Sequence, residues 1–161
     1  MTLKKSILTA VVIVLAFTLI AASLQATYPI KKGETVSLAS GRAGVTFIKS
    51  QYSGTVTLTR KDSSKKIAEE QPEFTQNYLD VRFKDSKGNR IKHVLGAVYV
   101  YFLIRDKDLR AFEAGELAIY FYDTWTGEWT ECNTFLVSRG SKGQSLACRI
   151  RVYGLYGLGK K

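Results

Sequence analysis

Tyr78-Leu79-Asp80-Val81-Arg82-Phe83-Lys84 is the stretch whose reading decides the fold class. In an extended chain, successive side chains point to opposite faces. Leu79, Val81 and Phe83 then share one face, and Asp80, Arg82 and Lys84 share the other. That is the pattern of a strand buried on one side of an antiparallel sheet. Thr55-Val56-Thr57-Leu58-Thr59-Arg60 repeats it, with Val56 and Leu58 inward, and Thr35-Val36-Ser37-Leu38 and Val45-Thr46-Phe47 follow. Turn signals separate these runs: Ser53-Gly54, Gly127, Gly140, Gly143 and the cluster Asp85-Ser86-Lys87-Gly88-Asn89, which predicts a hairpin over 78–95.

Two stretches are apolar on both faces. Residues 97–104 read Ala-Val-Tyr-Val-Tyr-Phe-Leu-Ile, and residues 117–122 read Leu-Ala-Ile-Tyr-Phe-Tyr. They read as central strands with one aliphatic face and one tyrosine face. If they are neighbours, Tyr99, Tyr101, Tyr120 and Tyr122 form a cross-strand ladder. Residues 61–76 and 106–115 lack the alternation. The first reads as a long connection with a helical turn at 67–70, the second as a loop or short helix joining two strands. Strands at this spacing predict a β-sandwich or a barrel, and the reading adopted is an all-β antiparallel β-sandwich.

The N-terminus is different in kind. Lys4 and Lys5 precede an apolar run from residue 7 to residue 20, and Ala21, Ala22, Ser23 and Ala26 follow. A basic start, an apolar middle and a small-residue exit read as a secretory signal helix. The first-choice division is a signal peptide over 1–26 and a β-sandwich domain over 27–161, with cleavage after Ser23 as the second choice. The alternative is an uncleaved anchor, since residues 7–24 reach the length needed to span a bilayer.

The 161 residues are 45% hydrophobic and 24% charged, which excludes a chain disordered throughout. Twenty-four Lys and Arg against 14 Asp and Glu give a net charge of +10. Losing 26 residues with two lysines and no acid leaves 135 residues carrying +8. That excess favours anionic neighbours, such as phosphate-bearing wall polymers, acidic glycans or lipid headgroups, with colloidal solubility as the equal alternative. Another envelope protein is a further candidate partner. A nucleic-acid partner is not expected, nor contact with a membrane unless the N-terminal segment stays attached. Arg82 and Lys84 on one strand, and Arg149 and Arg151 on another, supply candidate contacts. Tyr99, Tyr101, Tyr120, Tyr122, Trp125 and Trp129 supply candidate rings; the preferred alternative is that a second element covers them as core packing.

Cys132 and Cys148 lie 16 apart in a chain read as exported, so one disulfide is expected. Residues 134–150 read strand, turn, strand, and the bridge closes the base of that hairpin. Catalytic signals are thin. His93 is the lone histidine, and the chain holds no Gly-x-Ser-x-Gly, no His-Glu-x-x-His and no phosphate-loop motif. Asp106-Lys107-Asp108 offers only two carboxylates for calcium, which takes six to eight oxygens. No metal, cofactor or catalytic residue is assigned. The runner-up reading is a small carbohydrate-active enzyme using Glu113, Glu116 or Asp123.

The C-terminal third carries a resemblance. Gly115-Glu116-Leu117-Ala118-Ile119-Tyr120-Phe121-Tyr122-Asp123, then Gly127-Glu128-Trp129, then Tyr153-Gly154-Leu155-Tyr156-Gly157-Leu158 resemble the end of small exported bacterial β-sandwich modules of unassigned function. More distantly, the same residues are similar to the β-sandwich domain of zonula-occludens proteins and netrin receptors. Cys132 and Cys148 belong to the residues that carry the bacterial resemblance and are not part of the zonula-occludens and netrin-receptor pattern. The resemblance covers residues 115–158 and implies a fold and an interaction role. The expectation is therefore a secreted or envelope-bound, non-catalytic binding or structural module.

Overall fold

The computed structural model describes residues 24–51 and 53–161. The chain folds into two antiparallel sheets packed face to face. Its strands are β1 (Gln25–Pro29), β2 (Thr35–Ser37), β3 (Ala43–Ser50), β4 (Gly54–Lys61), β5 (Glu73–Phe74), β6 (Tyr78–Asp85) and β7 (Arg90–Ile91). After these come β8 (Gly96–Leu103), a short helix α1 (Asp106–Glu113), β9 (Leu117–Asp123), β10 (Glu128–Glu131), β11 (Thr134–Ser138), β12 (Gln144–Arg149) and β13 (Gly154–Lys160). The larger sheet runs β1-β4-β6-β13-β9-β10, with β7 on β6 and β5 on β13. The smaller sheet runs β11-β12-β8-β3-β2.

The alternation at 78–84 predicts the core correctly. Leu79, Val81 and Phe83 are almost wholly buried, and they meet Val98, Val100 and Phe102 of β8 in one apolar cluster. Phe47 and Phe83 pack edge to face across the sheets, with ring centres 6.4 Å apart. β8 and β9 are central strands, as expected, but they are not neighbours. β8 pairs with β3 and β12, and β9 with β10 and β13. The hairpin at 78–95 forms as β6 and β7, with Asp85 accepting from the Lys87 and Asn89 amides.

Residues 106–115 resolve as α1, which carries the chain from the smaller sheet to the larger. Asp108 accepts the Arg105 backbone N–H at the helix start. At the helix end, Gly115 adopts φ 76°, and Gly115 and Glu116 donate to the Phe112 and Ala111 carbonyls. That double closure satisfies carbonyls left open by the last turn, and glycine enters the left-handed region without a Cβ penalty. The helical turn expected at 67–70 does not form; the segment is a series of bends. Most of the expected export segment lies outside the described residues. Among the described residues, no helix is long and apolar enough to cross a membrane.

Candidate functional site

The tyrosine ladder does not form, because its two halves belong to different sheets. Tyr99 and Tyr101 lie on the outer face of the smaller sheet, and Tyr120 and Tyr122 on the outer face of the larger. Each pair is covered locally. Tyr101 is 5% exposed, and the Arg139 guanidinium sits 3.8 Å from its ring centre. Tyr99 packs edge to face on Phe135.

On the larger sheet the cover is a second aromatic layer. β13 places Tyr156 and Leu158 inward and Gly157 and Gly159 outward. The ring of Phe74 fills the space over Gly157, where a Cβ would lie 2.5 Å from it. Phe74 contacts Tyr78, Tyr120 and Trp129, and Trp129 also meets Tyr122. The connection from β4 to β6 thus straps over the sheet, and Tyr122 Oη donates to the Ile67 carbonyl. The hydroxyl of Tyr78 and the indole N–H of Trp129 are buried there without a hydrogen-bond partner. Burial raises the Tyr78 phenol above its ordinary value, with Gln71 pulling the other way. Trp125 stands apart at the β9–β10 turn, 94% exposed, its backbone N–H held by Asp123.

The four basic residues read from the sequence also divide. Arg82 and Lys84 project from the outer face of the larger sheet. Arg149 projects from the outer face of the smaller one, and Arg151 lies in the crossing between the sheets. They do not form one patch, because β6 and β12 belong to opposite layers. Instead, Lys84 pairs directly with Arg90 across β6 and β7. Among the described residues, neither of these two forms an ion pair. Arg82 bonds Asp80 at 2.7 Å. The guanidinium groups of Arg82 and Arg90 lie 4.9 and 5.5 Å from the ring centre of Tyr153. Reading along single strands missed Arg90 and Tyr153, since their role depends on register across the hairpin. Beside them, β1 and β4 present a polar face, where the Thr27 and Thr57 hydroxyls meet at 2.9 Å.

Arg149 and Arg151 border a crevice of about 610 Å³ together with Tyr99, Phe121, Phe135 and Cys132. Arg149 is tied to the Gly96 carbonyl through both Nε and an Nη. Cys132 sits where the chain leaves β10 for β11, and Cys148 lies in β12 facing the core. The two are close but unbonded, each a free thiol, which departs from the expected bridge. The hydrogen bond with Cys132, and then burial, push the Cys148 thiol far up from its ordinary value. Burial pushes the Tyr156 phenol beneath them up as well.

These shifts set a pH dependence. Both groups are neutral when protonated and hold their protons more tightly folded than unfolded. The contribution is full below the unfolded values, 9.0 for the thiol and 10.0 for the phenol, and is lost as pH rises above them. Above that point the unfolded chain binds fewer protons, so unfolding free energy falls with pH. The urea midpoint of reduced protein is expected to fall between pH 8 and pH 10.5. Cys148→Ala should flatten part of that slope, and an unchanged slope would contradict the assignment.

Among the described residues, no group of three or more His, Cys, Asp or Glu is placed to hold a metal ion. Asp106 and Asp108 lie in the first turn of α1, where Asp108 caps the helix, and Asp123 is engaged in its own turn. The antiparallel two-sheet architecture is the part of the bacterial and zonula-occludens resemblance that the structure carries. No family model, no curated protein and no solved structure matches the chain.

Proposed function

We propose that the chain is an exported, non-catalytic binding module of the cell envelope, and that the basic outer face of its larger sheet holds an anionic polymer. The observation that carries this reading is the Lys84–Arg90 pair. Like charges directly opposite in an antiparallel pair are unfavourable. Here they stand exposed without a carboxylate partner, with Arg82 alongside and Tyr153 beneath two guanidinium groups. An external anion relieves that repulsion, and the neighbouring threonine hydroxyls offer hydrogen bonds to a polar chain. Of the three carboxylates named for the runner-up enzyme, Asp123 is engaged in its own turn, which favours the binding reading.

Export rests on the tripartite N-terminus. Of the two cleavage points, the one after Ser23 leaves β1 whole. Cleavage after Ala26 removes Gln25 and Ala26, which pair with Thr59 and Leu58. Intact mass of exported protein separates the two.

Binding to heparin, with neutral dextran as the control, tests the proposed contact. Affinity for heparin is expected to fall steeply from low to high salt, because exposed charges are screened beyond about 10 Å at 0.1 M. The double change Lys84→Gln and Arg90→Gln should weaken it roughly threefold or more at low salt. Salt-independent binding, or equal retention on dextran, would remove the reading.

A further inference from the structure

A second basic site lies at the other end of β6. β6 rises about 3.4 Å per residue, which puts this site roughly 20 Å from Lys84. A cavity of about 390 Å³ opens there between the sheets, within the ordinary range for a small-ligand pocket. Arg42 enters it from the turn before β3, Arg60 from the end of β4, and Arg105 and Lys107 from the start of α1. Three separate elements bring four cations to one space.

Their charge is not met from within. Among the described residues, none of the four makes an ion pair. The one carboxylate lining the cavity, Asp108, is occupied with the Arg105 backbone N–H. The lining is therefore formally three charges positive. Tyr78, 2% exposed, forms part of the wall. Ser63, Thr75 and Asn77 add neutral hydrogen-bonding groups, and Leu38, Ala43 and Leu79 form an apolar side.

We propose that this cavity is a binding site for a phosphate monoester carried on a sugar-sized body. A single carboxylate would leave most of the positive charge unmet, whereas a phosphate monoester brings close to two negative charges and three acceptor oxygens. Guanidinium groups meet phosphate through paired, charge-assisted hydrogen bonds, and three arginines supply that geometry. The volume exceeds what the phosphate alone fills, and the hydroxyl, amide and apolar walls suit a polyol. This site is independent of the Lys84–Arg90 face.

Calorimetric titration of the full chain with glucose 6-phosphate, inorganic phosphate and glucose tests the proposal. Glucose 6-phosphate is expected to bind, inorganic phosphate to bind more weakly, and glucose not to bind. Arg60→Gln with Arg105→Gln should weaken glucose 6-phosphate roughly tenfold or more. Lys84→Gln with Arg90→Gln should leave it unchanged. Amide chemical shifts of Thr75 and Asn77 in the unmodified protein should move on titration, which keeps the test valid if the arginine variants fold poorly. No heat and no shift with glucose 6-phosphate would overturn the proposal. So would equal affinity for inorganic phosphate, or equal sensitivity to the Lys84 and Arg90 changes. Heparin binding that is indifferent to Arg60 and Arg105 would leave this proposal intact, and loss of heparin binding alone would remove only the surface reading.

Discussion

Gly157→Val is expected to destabilise the protein by roughly 3 kcal/mol, although valine favours strands and glycine does not. In an open strand the same change would be stabilising by about 1 kcal/mol. The sign reverses here because the outward side of Gly157 is already occupied. A Cβ at this position would lie 2.5 Å from one Phe74 ring carbon and 2.6 Å from another, with Tyr78 at 3.1 Å. Phe74 cannot simply swing away, because its ring also packs on Tyr120 and Trp129. Phe74→Ala alone should cost about 2 kcal/mol of buried ring area. The double variant should be less destabilised than the two losses added, by roughly 1 kcal/mol or more, since removing the ring makes room for the valine. Urea unfolding of the four proteins measures the coupling, and near-UV circular dichroism reports on the aromatic layer. A stabilising Gly157→Val, or strict additivity, would mean that the 61–77 strap does not hold Phe74 against β13.

That layer marks where the sequence stops being readable. Leu79, Val81 and Phe83 were legible because a period of two depends only on neighbours along the chain. Tyr99-Val100-Tyr101-Phe102 and Ile119-Tyr120-Phe121 were equally legible as central strands. Which strands adjoin was not, because pairing is settled by contacts far apart in sequence. β13 comes last in the chain yet lies between β6 and β9, and β8 joins the smaller sheet while β9 joins the larger, so the two tyrosine pairs fall in different layers. Phe74 sits in a segment without periodicity, and its partners Gly157 and Gly159 carry no side chain to announce a contact. The basic site was half legible for the same reason. Arg82 and Lys84 share a strand face, but Arg90 reaches them only through hairpin register, and Arg42, Arg60 and Arg105 converge only once the sheets pack.

Exported protein is expected to carry a bond between Cys132 and Cys148, worth roughly 3 kcal/mol of stability for a loop of this length. The folded chain already holds the two thiols side by side. Closure therefore needs a small local shift and an oxidant such as oxidised glutathione. The two thiols lose two protons and two electrons, and the oxidant is reduced to two thiols. The roles of the sulfurs are unequal. Cys148 is buried with its thiol pushed far up, so it stays protonated at neutral pH. Cys132 is half-buried and lines the crevice, so it is the sulfur that an oxidant reaches first. Reduced protein should accordingly label first at Cys132, and Cys132→Ala should abolish mixed-disulfide formation where Cys148→Ala does not. The bond would fasten the crossing from β10 to β11, where the chain changes sheets, to β12 in the smaller sheet. Its loss should then loosen the interface between the layers at that end. Exported protein lighter by two hydrogens than its reduced form, with a lower urea midpoint after reduction, is the expected result. Two thiols that label freely in native, unreduced material would refute it.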